Sequence, residues 1–330
     1  MNFQEPFLKI FLSRDHSGYN CTSTIETIPG IHSDQETMKL ISSSFSAQAT
    51  AMIRALEANE PKELRLFDDP ITRKVLSPFW RVLVGLLGVP GIGSMILRLR
   101  EHQFPGVIGN LFCRTRYIDD QLIAALKEGV EQVVILGAGF DSRAYRIPGV
   151  EKTNLYEVDQ PAVIVTKGAR LTRVFGRLPA HVVLVPIDFN RQDLAEVLTR
   201  FGFRCNIKSF FIWEGVTQYI LPNAVENTLA FIRKVSATGS KVVFTFIRRD
   251  IIDGTTPSED ERRVTAMVRR FGTEWIFGID PKELNTYLEE RGFTLIEQIG
   301  TQGYRERYLN PVDRKMEIFS GELTALAKVK

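Results

Sequence analysis

VVILGAGFDSR, residues 133–143, sets a short β-branched apolar run directly against a glycine turn. Such a run, closed by glycine, is the mark of a strand buried on both faces. Similar runs follow: LYEVD (Leu155–Asp159), VVLVPID (Val182–Asp188), FFIWEG (Phe210–Gly215) and VVFTFI (Val242–Ile247). Helical segments lie between them, notably Pro161–Phe175, Gln192–Phe201 and Pro222–Val235. Alternating strands and helices imply βαβ units with right-handed crossovers and a mostly parallel sheet. A helix over Pro281–Arg291, a strand over Phe293–Ile299 and an alternating stretch over Glu322–Lys330 add an antiparallel pair at one edge. The expected fold is α/β, with a mostly parallel seven-stranded sheet.

Working outward, a helix is expected from Ser33-Asp34 until Asn59 and Pro61 stop it, because Met38, Ile41, Phe45, Ala49, Met52 and Leu56 fall on one face. Another runs from Asn110 to Glu128 and stops at Gly129. The expected organisation is an arm over residues 1–33, a helical lid region over 34–111, and a core over 112–330 with a substrate insertion at 248–280. The apolar stretch Val82–Leu97 holds Pro90 and four glycines. It falls short of the roughly 20 residues a bilayer span needs and reads as a buried or interfacial hairpin. The N-terminus lacks a basic segment followed by an apolar core, so no secretory signal is read.

The chain has 330 residues, 44% apolar and 25% charged, which excludes a disordered or fibrous chain. A net charge of +3 is too small over this length to mark a nucleic-acid surface. Three scattered cysteines and four histidines form neither a disulfide framework nor a metal-ligand spacing. A reducing, cytoplasmic setting is expected.

In an open parallel sheet, ligands sit beyond the carboxyl ends of the strands. There Gly137 and Gly139 allow a tight turn and close approach of a ligand, and Asp159 ends the second strand at the separation expected of an acid that accepts from ribose hydroxyls. A dinucleotide would place its pyrophosphate at the following helix, where Asp141 stands and the third glycine of the fingerprint is Ser142. A carboxylate beside a diphosphate is repulsive, so NAD and FAD are disfavoured, and no P-loop Gly-Lys-Ser/Thr is present. S-adenosylmethionine has no phosphate and carries an ammonium, a carboxylate and a sulfonium. It is the expected cofactor.

ILGAGFDSRAYR (Ile135–Arg146), YEVDQP (Tyr156–Pro161), Asp188-Phe189 and WEGVTQYI (Trp213–Ile220) resemble the motifs of the leucine carboxyl methyltransferase-like family. The resemblance starts near Ala51, with Arg54, and passes through LFDDP (Leu66–Pro70) and CRTRYID (Cys113–Asp119) to about Ile247. It implies a Rossmann-like class I methyltransferase fold with helical lid insertions and O-methyl transfer. Carried onto this chain, Arg114 rather than Arg116 would bind the methionine carboxylate, and the Gly137 loop would pass the methionine backbone. Asp159 would hold the ribose, Asp188 would accept from the adenine amine, and Phe189 would pack on the ring. Glu214 would face the ammonium. Each has a structural alternative: Arg114 as a surface helix charge, Glu214 as partner of a buried cation. Phe189 departs from the leucine more usual in the family, and Lys39 is the nearest candidate for the family's N-terminal lysine.

The acceptor's acidity decides what else is needed. A carboxylate is ionised at neutral pH, whereas a hydroxyl benefits from a base. None of the four histidines lies in the strand-end motifs, which tilts the reading toward a carboxylate of a small apolar molecule, with a hydroxyl open. Tyr219 is the candidate for touching the acceptor or methyl group, or is a packing residue of its loop. Two readings compete: methylation of a protein C-terminal carboxyl, and a non-catalytic membrane-surface protein anchored by Val82–Leu97.

Overall fold

Five runs rich in Val, Ile and Phe pair side by side as parallel strands in the computed structural model, which describes residues 47–88, 104–188, 191–270 and 273–330. They are β1 (Gln132–Leu136), β2 (Asn154–Asp159), β3 (Val182–Pro186), β4 (Ser209–Trp213) and β5 (Lys241–Arg248). Three more follow: β6 (Gly278–Ile279), β7 (Phe293–Ile299) and β8 (Glu322–Val329). The order across the sheet is β3-β2-β1-β4-β5-β8-β7, with β6 paired to β5 off this path. The expected antiparallel pair is present at one edge, but the reversed strand, β8, is one place inside it, antiparallel to both β5 and β7. The eighth strand is the two-residue β6, too short to leave a periodic signal.

Every residue of β1 and of β4 is buried. Helices on both faces of the sheet account for this. Val107–Lys127 supplies Phe112, Tyr117 and Leu122 to one layer, and Pro222–Val235 supplies Val225, Leu229 and Ile232 to the other. Each such fully buried apolar side chain contributes roughly 1.5–3 kcal/mol before conformational entropy is charged. Two helices begin where the sequence places them: Pro161 and Pro222 stand at the first helical position, where a missing N–H costs nothing.

Upstream, residues 47–56 are helical, and LFDDP lies in the irregular stretch before helix Thr72–Val75. Helix Pro78–Leu87 covers the start of the apolar stretch. The arm at 1–33, Lys39, the first part of the helix expected from Ser33-Asp34 and the second half of Val82–Leu97 lie outside the described residues. No described helix is long and apolar enough to cross a membrane.

Candidate functional site

The strand order reverses between β1 and β4, and the crevice beyond their carboxyl ends is where an α/β sheet holds its ligand. The first wall is the glycine turn. Gly137 has φ +67°, and a Cβ there would stand 2.4 Å from Val216 Cγ2, so only glycine lets the turn pass beneath the β4 loop. The turn is fastened to β2: Ala138 N–H donates to the Val158 carbonyl at 3.0 Å and Gly139 N–H to Asp159 Oδ2 at 2.6 Å. The other oxygen, Oδ1, accepts from Gln160 N–H at 2.6 Å. Each carboxylate oxygen retains a lone pair, so Asp159 can hold the turn and still accept from a ligand's hydroxyls. Burial pushes its carboxyl up, and the two N–H groups pull partly back.

The second wall is a buried ion cluster. Arg114, from helix Val107–Lys127, donates through Nε to Glu214 Oε1 at 2.9 Å, and its Nη1 pairs with Glu322 at the start of β8. Arg116 points elsewhere, to Asp120 and the Leu66 carbonyl. The family resemblance assigns Arg114 and Glu214 separate ligand groups, a carboxylate and an ammonium; in the structure the two side chains also pair with each other. Two residues that sequence reasoning missed complete the cluster. Arg143, 1% exposed, donates to Asp119 (2.7 Å), Glu214 (2.7 Å) and Asp141. Glu322 also accepts from Asn110 Nδ2 at 2.6 Å. Arg143 lies inside ILGAGFDSRAYR, and two arginines three apart downstream of Asp119 were the available signal.

The upstream motifs brace this cluster. Asp69 of LFDDP accepts from Ser142 Oγ at 2.6 Å and from Thr72 N–H at 2.9 Å. Asp119 of CRTRYID accepts from both terminal nitrogens of Arg146, at 2.6 and 2.8 Å. Arg54 donates to the Phe140 carbonyl at 2.6 Å. Behind the turn, Lys167 pairs with Glu157 at 2.9 Å, both fully buried.

Around the rim, Asp188 follows β3, kept beside β2 by the bond from Ile187 N–H to the Asp159 carbonyl at 2.9 Å. Its own N–H donates to Gln192 Oε1 at 2.8 Å. Phe189 lies outside the described residues. Tyr219 closes the short 3-10 turn Thr217–Tyr219 after β4 and is 39% exposed. The 248–280 insertion reaches this turn through Ile276 N–H, which donates to the Gln218 carbonyl at 2.8 Å. Four of its six arginines are engaged locally: Arg248 pairs with Asp250 and with Glu261 (2.8 Å), Arg263 with Asp260 and Arg269 with Glu274, and Arg262 donates to the Thr256 carbonyl.

The cluster fixes an acid response. Burial pushes Glu214 up, but Arg143 and Arg114 outweigh it and hold its carboxyl at about 2, against an ordinary 4.5. A depressed carboxyl stabilises the fold above its unfolded value and loses that contribution as pH falls through the folded one, here between about pH 4.5 and 2. The shift corresponds to on the order of 3 kcal/mol. Thermal midpoints measured from pH 7 downward should therefore fall steeply below about pH 4.5 for the wild type and less steeply for Glu214→Gln.

The fold and the strand-end site define a Rossmann-like methyltransferase architecture. Among solved structures, a Thermobifida fusca protein provisionally described as a methyltransferase superposes with TM-score 0.52 at 14% identity, covering 78% of this chain and 94% of that one. A DUF574 family protein of Streptomyces avermitilis gives TM-score 0.52 at 11% identity, covering 78% and 97%. The family model for leucine carboxyl methyltransferase matches residues 47–233, and the chain belongs to that family. A Mycobacterium ulcerans protein provisionally described as an S-adenosyl-L-methionine-dependent methyltransferase is 33% identical over 272 residues, 77% of this chain and 80% of its own. A protein of Mycobacterium sp. strain JLS with the same description is 30% identical, covering 85% and 96%. These descriptions agree with the cofactor expected from the sequence.

Proposed function

We propose that the chain transfers the methyl group of S-adenosylmethionine to the carboxylate of a small, largely apolar molecule. The observation that carries the cofactor part of this reading is the charge of the strand-end site. Five buried or half-buried cations (Arg54, Arg114, Arg143, Arg146 and Lys167) meet seven carboxylates (Asp69, Asp119, Asp141, Glu157, Asp159, Glu214 and Glu322). An anionic excess in a poorly solvated crevice favours a ligand bearing ammonium and sulfonium and repels a diphosphate. Asp141 itself does not carry this argument, because Arg143 neutralises it.

The donor set fits the cofactor group by group. Asp159 would accept from the ribose hydroxyls, Asp188 from the adenine amine, and Glu214 would face the ammonium. Arg114 Nη2, which lies 3.4 Å from where a Cβ on Gly215 would stand, would take the methionine carboxylate. Bound there, the cofactor supplies a methyl group already activated on sulfur. The chain's task is then to align the acceptor and exclude water.

The acceptor must arrive ionised. Glu214 and Asp141 are held well down by their arginines and are poor bases. The Tyr219 phenol is protonated at neutral pH and can donate to an acceptor oxygen. Incubation with methyl-labelled cofactor and matched apolar acids and alcohols tests this. The acids should take label that base releases as methanol, the behaviour of a methyl ester, and the alcohols should not; label stable to base, or confined to protein, defeats the reading. Tyr219→Phe should reduce kcat about tenfold, one hydrogen bond to the reacting group, with the thermal midpoint unchanged.

A further inference from the structure

Helix Pro78–Leu87 (PFWRVLVGLL) is apolar on two sides. Trp80, Val84 and Leu87 are buried, at 5%, 0% and 8% exposure. Phe79, Val82 and Leu86, spaced three and four apart and so on one face, are 48%, 63% and 50% exposed. A helix on the surface of a water-soluble domain turns a polar face outward. Here the outward stripe is aliphatic and aromatic, and the polar side chains flank it. Arg81 is exposed on the helix, and Arg73 and Lys74 are exposed in the preceding turn. The Arg73 guanidinium lies within 3.5 Å of where a Cβ on Gly85 would stand, at the border of the stripe. None of the three is within ion-pair distance of a carboxylate among the described residues. The sequence from Ile71 to Arg100 contains five cations and no acid.

We infer that this face docks on an anionic lipid surface, with Val82 and Leu86 entering the headgroup–acyl boundary and Arg73, Lys74 and Arg81 contacting lipid phosphates. An apolar stripe bordered by cations, on a helix too short to span, is the pattern of interfacial binding. Charge selects the occupant. A second copy of this face would bring its cations against these across a two-fold axis, which is repulsive, whereas an anionic leaflet attracts each of them. The docking itself does not rest on the methyl-transfer reading.

Flotation of the full chain with phosphatidylcholine vesicles, with and without phosphatidylglycerol, tests the inference. The wild type should float with the anionic vesicles, weaken as salt rises, and stay behind with the neutral ones. Each neutralised cation should reduce partitioning about fivefold, so the triple variant R73Q, K74Q, R81Q should bind about a hundredfold more weakly. Those three exposed changes leave the core untouched; V82E with L86E should abolish binding, with thermal unfolding confirming the fold. Absence of flotation overturns the proposal, as does equal binding to both vesicle types. A dimer in sedimentation that V82E with L86E dissolves, without flotation, assigns the face to a second copy instead and overturns it too.

Discussion

Replacing Arg143 by methionine is expected to lower the thermal midpoint by about 10 °C. The side chain is 1% exposed and serves three carboxylates from three parts of the chain. Without it Asp119 keeps Arg146 and Glu214 keeps Arg114, but Asp141 loses its side-chain partner. A buried charge left without its counter-ion costs about 3–5 kcal/mol. Lysine should not rescue, because a point charge cannot reproduce the fork that bridges these carboxylates. The deficit should shrink in acid, since Asp141, held low by Arg143 in the wild type, takes up a proton more readily in the variant. Arg116→Met is the matched comparison: its pair with Asp120 is partly exposed and should be worth no more than about 1 kcal/mol. Equal midpoints for the two variants would show that the cluster is not what secures the turn.

Asp159→Asn should weaken binding of S-adenosylmethionine or S-adenosylhomocysteine about a hundredfold or more in calorimetry. Hydrogen bonds to a charged acceptor are worth roughly 1.5–3 kcal/mol each, and the carboxylate would receive those of the ribose hydroxyls. The substitution also turns one acceptor into an NH2 that must face the N–H of Gly139 or Gln160, the two donors now at 2.6 Å. A stability loss of about 1–2 kcal/mol should accompany it. Affinity is the deciding readout. Wild-type affinity in a folded variant would place the ribose somewhere other than the end of β2.

The sheet was legible because each core strand is a continuous β-branched or aromatic run bounded by glycine, proline or a charge. Helices Pro161–Phe175 and Pro222–Val235 were legible to the residue because proline marks both starts. The glycine turn and Asp159 were legible because their spacing is local to one βαβ unit. Arg143 to Glu214 spans 71 residues and Arg114 to Glu322 spans 208. No periodicity encodes such pairs; they exist only once the strands are ordered. Motif resemblance pointed to Arg114 and Glu214 but assigned them to a ligand, and gave no sign that they would meet each other. Glu322 carried one faint mark, an acid at the opening of the strand ELTALAKV, where the chain enters the sheet.

The placement of β8 has a consequence for synthesis. Ribosomes make Glu322–Val329 after the other seven described strands, yet that strand slots between β5 and β7 and delivers Glu322 to Arg114. A nascent chain halted before this point exposes the unsatisfied backbone edge of β5 and leaves Arg114 with one carboxylate in place of two. An exposed strand edge of this kind is a site for mispairing, and the Arg114 corner of the crevice is complete only once translation has passed β8.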